Sequence, residues 1–433
     1  MSEWGAIRDN LLPIVAIAVF LITYGIIISD KIHRMVAAFA GAGLILLFGI
    51  LDQEQALAAI DFNTIGLLTG MMIIVGLTRR TGVFEYLSIK AARFAKGDPW
   101  LLMLALAFIT ALASALLDNV TTVLLMVPVT LSITRELDLN PIPYLITQII
   151  ASNIGGTSTL IGDPPNIMIG SAVGLGFTDF VSNLIIPVII TFIVTLWILR
   201  IIYRRELVIS ESQKLKVLAF KEQEAIKDYL LLKKSLLVLG LTILGFILGQ
   251  AWHLESATIA LSGATLLLLI TGEEPEDILL AIEWPTIFFF IGLFVLVGGL
   301  EQVGVIEWIA QRALTVTAGA LLPTTMTILW LSAIASAFVD NIPFTATMIP
   351  LIQKMGELGG ITNLEPLWWA LSLGACLGGN GTLIGASANV IVAGMAEKQG
   401  VIITFRQFFK VGFPLMIISI IISTVYLYFV YFF

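Results

Sequence analysis

The sequence predicts an all-α polytopic membrane protein made of two inverted-topology repeats. About ten transmembrane spans, two re-entrant hairpins and two discontinuous helices are expected. Three observations lead there: an apolar composition, an internal duplication, and polar breaks at matched places in the two copies. Of 433 residues, 58% are hydrophobic and only 12% charged, against about 25% charged in soluble domains. The duplication appears on shifting the chain by 222 residues. AFAGAGLILLFGILDQEQALAAIDF (38–62) then falls on ALSGATLLLLITGEEPEDILLAIEW (260–284), and SALLDNVTTVLLMVP (114–128) on SAFVDNIPFTATMIP (336–350). At a shift of 223, GGTSTLIGDPPNI (155–167) falls on GGNGTLIGASANV (378–390). Repeats inside an apolar chain are the usual mark of a secondary transporter.

The elements follow in order. LLPIVAIAVFLITYGIIIS (11–29) is long enough to remain as a span, and no small-residue cleavage site follows it. Spans at 35–51 and 62–78 come next, then a short amphipathic stretch (83–96) expected in the membrane interface. Two apolar arms, 99–117 and 120–133, meet at Asp118-Asn119, which reads as a re-entrant hairpin with its tip at mid-membrane. A span over 143–176 is interrupted by NIGGTSTLIGDPPN, where prolines and glycines forbid regular helix. A plain span (183–203) closes the first repeat, residues 1–205. After a polar linker (206–231), expected on the cytoplasmic side, the second repeat (232–433) has the same order: 232–250, 257–272, 285–300, 305–317, a hairpin with its tip at Asp340-Asn341, 367–396 and 407–433.

Five crossings per copy require the second copy to be inverted. Loop charge gives the orientation independently. Twenty of the twenty-three Lys and Arg fall on one side, leaving Arg8, Arg312 and Lys354 opposite. Positive-inside then makes the crowded side cytoplasmic, with both termini external and the chain in the cell (inner) membrane.

Gly and Pro commonly do no more than kink a packed helix. Here the break recurs in both copies with Asn166 and Asn389 matched, which points to a midplane binding site instead. Irregular backbone survives at that depth only inside protein or around a wet cavity. The tips and breaks nominate Asn119, Thr121, Asn153, Gly156, Thr157 and Asn166 of the first copy as solute-binding. From the second they nominate Asn341, Thr345, Gly379, Asn380, Thr382 and Asn389. Asp118 and Asp340 are expected both to cap the second hairpin arm and to serve coupling, since an ionised Asp at the bilayer centre costs about 3 kcal/mol. Asp163 is matched by Ala386 and is a candidate carrier of a proton or cation. No Lys or Arg lies in any tip or break to offset these carboxylates.

Composition excludes other chemistries. The single cysteine, Cys376, rules out intramolecular disulfides and Cys-rich metal sites. Its small neighbours Gly374, Ala375 and Gly378 favour close packing over a role as a soft metalloid ligand. His33 and His253 sit at span ends and read as interfacial. With no intramembrane His, an embedded metalloenzyme lacks its ligands and a hydrolase its base. A channel would be expected to carry a continuous filter rather than inverted copies. No cofactor and no nucleic-acid partner are expected.

The tip and break motifs resemble those of the ion transporter superfamily over nearly the whole chain. GGTSTLIGDPPN is similar to the arsenite-permease, NhaD-type sodium/proton antiporter and P-protein branch. In the more distant dicarboxylate/sodium symporters a Ser-Asn-Thr motif fills each tip, whereas here Asp118-Asn119-Val120 and Asp340-Asn341-Ile342 stand there. The resemblance implies homodimers, each protomer with a scaffold part and a moving transport part. Added tip aspartates would repel a dianion, so the expected cargo is a cation or a neutral hydroxylated solute. The leading expectation is proton-coupled export of arsenite or antimonite. A sodium/proton antiporter is the alternative, and a soluble ATPase partner stays open.

Overall fold

The computed structural model describes residues 3–29, 31–208 and 225–433. Residues 209–224 of the predicted linker lie outside them. Among the described residues the regular structure is helical. The first copy contains α1 (Glu3–Ser29), α2 (Arg34–Leu47), α3 (Gln53–Ala58), α4 (Phe62–Arg80), α5 (Val83–Phe94), α6 (Pro99–Leu116), α7 (Asn119–Glu136), α8 (Ile142–Thr157), α9 (Pro164–Val173) and α10 (Phe177–Tyr203). The second repeats the series as α11 (Tyr229–Gly249), α12 (Ser256–Thr271), α13 (Pro275–Leu279), α14 (Trp284–Gln302), α15 (Val305–Thr317), α16 (Leu321–Phe338), α17 (Asn341–Gly359), α18 (Glu365–Gly378), α19 (Ser387–Glu397) and α20 (Phe405–Tyr431). Both interruptions fall where the sequence places them, between α8 and α9 and between α18 and α19.

Local chemistry sets the boundaries. Asp61 caps α4 through the amides of Asn63 and Thr64. Asp98 caps α6, with Pro99 at the position where a missing N–H costs nothing. α2 ends at Leu47 because Gly49 turns with φ 66°, so the span expected over 35–51 is shorter. The short helices α3 and α13 were not anticipated, and both are too brief to show a pattern.

Among the described residues eight helices, including α6 and α16, are long and apolar enough to cross a membrane. The first arm of the first hairpin ends one residue short of the expected 99–117. At 18 residues and 1.5 Å per residue, α6 and α16 each span about 27 Å, more than half of a bilayer core of about 30 Å. The amphipathic helices α5 and α15 also differ from free interfacial helices. Each packs against the return arm of its own hairpin, α5 on α7 and α15 on α17, and Phe84 and Ala92 of α5 are buried there.

The two copies interlock. α4 packs on α12, and α14 packs on α2, so each pair takes one helix from each copy. Glycine makes both seams possible. A Cβ on Gly70 would lie 2.6 Å from the Ala260 carbonyl carbon, and one on Gly292 would lie 2.8 Å from that of Ala38. These are the same contact twice, since Gly70 matches Gly292 and Ala38 matches Ala260 at the shift of 222.

The interrupted helices form the centre of the protein. Every residue of α8 from Pro143 to Thr157 is buried, and every residue of α18 from Pro366 to Gly378. α6 lies against α8, and α16 against α18. The edge-to-face pair Phe180–Trp369, with ring centres 5.2 Å apart, closes the packing around them. Polar groups on α8 and α18 therefore face protein, with no lipid contact.

Candidate functional site

Each break is held open by the Asn that ends it. Asn166 donates to the carbonyls of Thr157 (3.1 Å) and Thr159 (2.9 Å). Asn389 donates to those of Gly379 (2.7 Å) and Thr382 (2.9 Å). Both amide nitrogens are thus spent on unwound backbone that would otherwise be unpaired in an apolar interior. Thr159 and Thr382 pin the breaks to the hairpins, bonding the carbonyls of Ala115 and Ala337. Ser114 and Ser336 bond back to those of Ser152 (2.7 Å) and Ala375 (2.6 Å). Gly156 and Gly162 touch across the first break, where a Cβ on either would meet the other's carbonyl oxygen within 2.5 Å. Gly379 and Gly385 face each other more loosely in the second, at 3.2 and 2.8 Å.

The tips complete the enclosure. Asp118 accepts from the amide of Thr121 (2.8 Å) and from its hydroxyl. Asp340 accepts from the amide of Ile342 (3.0 Å). Both are helix caps, as the sequence indicates. Asn119 and Asn341 follow them, 3% and 2% exposed, with side chains turned inward. Thr345 donates to the Asn341 carbonyl of its own helix (2.8 Å), and Thr157 to that of Asn153 (2.7 Å).

Between tips and breaks, the inward groups form two matched clusters. In one, Asn153 accepts from Asn119 (3.3 Å) and donates to Asn380 and Asn389 (3.0 Å each). Asn153 of the first copy is therefore the joint to the second. The Nδ2 of Asn380 is buried and has no hydrogen-bond partner among the described residues. In the other cluster, Asn341 donates to Asp163 Oδ1 (3.1 Å), and Ser372 and Cys376 approach Asn166 Oδ1 at 2.6 and 3.5 Å. The clusters are repeat equivalents: at the shifts of 222 and 223, Asn119 matches Asn341, Asn153 matches Cys376, Asn380 matches Thr157 and Asn389 matches Asn166. One replacement separates them chemically. Where the first has Ala386, the second has Asp163, fully buried, its Oδ2 without a hydrogen-bond partner among the described residues. Asp163 stands at the start of α9 yet makes no capping bond with its side chain. Cys376 is fully buried. It also takes the place of Asn153 in its copy, which the sequence reading missed.

One expectation is corrected. The tip carboxylates are not without a cation, because Arg34, at the start of α2, pairs with Asp340 at 3.1 Å. No basic residue lies in the tips or breaks themselves; this one arrives from a distant element. Ser387 and Glu283 were likewise missed. Glu283 stands just before α14, outside the spanning helix. Burial, with the charge of Asp118 adding to it, pushes its carboxyl up to about 7 against the pull of Thr286, Arg34 and Arg79.

Two interrupted helices and two hairpin tips, closed on one buried polar centre, define a membrane transporter of the ion transporter superfamily. Within it, the chain belongs to the citrate transporter family, whose model matches residues 24–374. An uncharacterized transporter of Mycobacterium tuberculosis is 40% identical over 97% of this chain and 99% of its own length. The P protein of Homo sapiens is 36% identical over 95% of this chain, which spans 59% of that longer protein. The crystal structure of the Alcanivorax borkumensis YdaH transporter shares the fold, with a TM-score of 0.57 at 15% identity, covering 92% of this chain and 98% of that one.

Proposed function

We propose that the protein is a secondary active transporter that exports a small neutral metalloid hydroxide, arsenite or antimonite, in exchange for entering protons, by alternating access. One observation supports this reading: of two equivalent buried clusters, one is built of amides alone and the other holds a single carboxylate, one oxygen of which has no hydrogen-bond partner among the described residues. A neutral trihydroxide both donates and accepts hydrogen bonds, which suits the amide cluster and the free Nδ2 of Asn380. A carboxylate with an open oxygen suits a proton. Uphill movement of a neutral solute needs such a coupled charge. Citrate, named in the family description, suits this site less. The guanidinium of Arg34 is engaged by Asp340, leaving Asp118 and Asp163 to repel a carboxylate cargo.

A second reading, sodium/proton antiport, is favoured by the same Oδ2. Beside the tip and break carbonyls it offers the oxygen ligands that a hard cation prefers. Purified protein in liposomes, given arsenite, antimonite or sodium under an imposed pH gradient, separates the two. Saturable, pH-driven arsenite or antimonite accumulation is expected. Sodium flux with no metalloid movement would replace the first reading by the second.

The orientation reading makes residues 31–33 and the linker cytoplasmic, with the protein a homodimer in the cell membrane. Phe220→Cys should be modified by impermeant reagents only from the cytoplasmic side, and Ala318→Cys only from outside. Labelling of both from one face would end the odd-crossing topology.

A further inference from the structure

The second hairpin tip has a built-in cation that the first lacks. The Arg34 guanidinium reaches Asp340 at 3.1 Å, 306 residues away in sequence. It also donates to Ser387, at the start of α19, and lies 3.4 Å from Thr286 Oγ1 and 5.0 Å from the centre of the Phe289 ring. Ser387 in turn donates to the same Asp340 oxygen at 2.6 Å. Tyr24 of α1 makes a parallel tie, donating to the Pro343 carbonyl at 2.5 Å. At the shift of 222 the match of Arg34 is Ser256, and Asp118 is in no ion pair among the described residues.

Arg34, Thr286, Asp340 and Ser387 line a cavity of about 380 Å³, together with His33 and Glu283. The titratable and charged groups facing Asp340 are Tyr24 from α1, Arg34 from α2, Glu283 ahead of α14, His33 in the loop between α1 and α2, and Asp163 across the site. Arg34 is the permanent cation of that set. It is anchored on α2, which packs on α14, whereas Asp340 and Ser387 belong to the tip and break.

We propose that Arg34 is a tethered counter-cation that competes with the transported cation for Asp340 whenever the site is open at this end. The proposal rests on the cation coupling proposed above. When tip and break move away from α2, Asp340 leaves the guanidinium behind. A buried carboxylate without a partner is strongly unfavourable, so it takes a cation from the opposite side. On return, the guanidinium displaces that cation into the cavity. One cation is taken up and one released per cycle; the imposed cation gradient sets the direction, and Arg34 at one end ties release of the cation to that end.

The test uses the full chain in liposomes. Arg34→Gln should lower pH-driven arsenite accumulation about tenfold, while arsenite–arsenite exchange, which needs no cation release, stays within about twofold. Arg34→Lys should retain most coupling, and Arg34→Gln with Asp340→Asn should match Asp340→Asn alone. If accumulation and exchange fall in parallel, Arg34 is only structural and the proposal fails. A second arm needs no cargo. Ile28 lines the cavity and is 43% exposed, and the native Cys376 is buried. Impermeant maleimide should modify Ile28→Cys from the cavity end, and Arg34→Gln should slow this about threefold by weakening the hold on the open state. An unchanged labelling rate overturns the proposal. Should the protein carry neither arsenite nor sodium, the function proposed above fails, and the labelling arm alone decides the role of Arg34.

Discussion

Asp163→Asn is expected to reduce pH-driven accumulation to the level of simple equilibration while downhill arsenite exchange stays measurable. The substitution keeps shape and the oxygen that Asn341 contacts (3.1 Å), and it removes only the charge and its proton. The carboxylate has no basic side chain in hydrogen-bond contact, and its second oxygen is unpaired, so no structural ion pair is lost. Asn at this position also brings the second cluster closer to the uncharged first, where Ala386 stands. The pH dependence of transport should flatten accordingly. Asp118→Asn is the internal comparison. That carboxylate caps α7, and weakening a cap costs about 1 kcal/mol, so exchange and accumulation should fall together or not at all. Full pH-driven accumulation by Asp163→Asn would exclude this carboxylate as the carrier.

Asn153→Ala should abolish both exchange and accumulation, by more than tenfold per folded protein, and lower the thermal midpoint as well. Its side chain satisfies Asn119, Asn380 and Asn389 at once. Truncation leaves three buried amide groups short of a partner, at about 1–3 kcal/mol each. The loss falls on the residue that ties Asn119 of the first copy to Asn380 and Asn389 of the second, so geometry suffers along with stability. Asn119→Ala removes one of the same bonds and should cost less stability for a similar loss of transport. Near-normal exchange by folded Asn153→Ala would move solute binding away from the amides. Size-exclusion profiles and thermal melts on the same preparations separate misfolding from loss of site.

Much of this architecture is legible in the sequence because the duplication does the reading. A single GGTSTLIGDPPN could be a kink, but its recurrence as GGNGTLIGASAN marks both breaks, and the Asp-Asn pairs mark both tips. Asymmetry was the weaker signal. Ala386 opposite Asp163 stands out on alignment and was noticed. Arg34 opposite Ser256 and Cys376 opposite Asn153 are on the same alignment, yet their meaning depends on partners hundreds of residues away. Arg34 looks like an ordinary positive residue at a span end until α2 is seen to begin beside the second tip. Asn166 and Asn389 were read as solute ligands, and their amide nitrogens turn out to hold the backbone. Local sequence cannot show that, because the carbonyls they bond are freed only once the helix has broken.

The glycine seams between the copies bear on how the protein is made. Gly70 meets Ala260, and Gly292 meets Ala38, so each seam needs residues from both ends of the chain. A ribosome that has finished only the first copy has delivered α2 and α4 to the bilayer with their small-residue grooves facing acyl chains, and flexible tails fill such grooves poorly. The early helices must wait, or be chaperoned, until α12 and α14 emerge to cover them. A bulkier residue at position 70 or 292 would then act during biogenesis, reducing how much transporter reaches the membrane and sparing the turnover of each molecule that does.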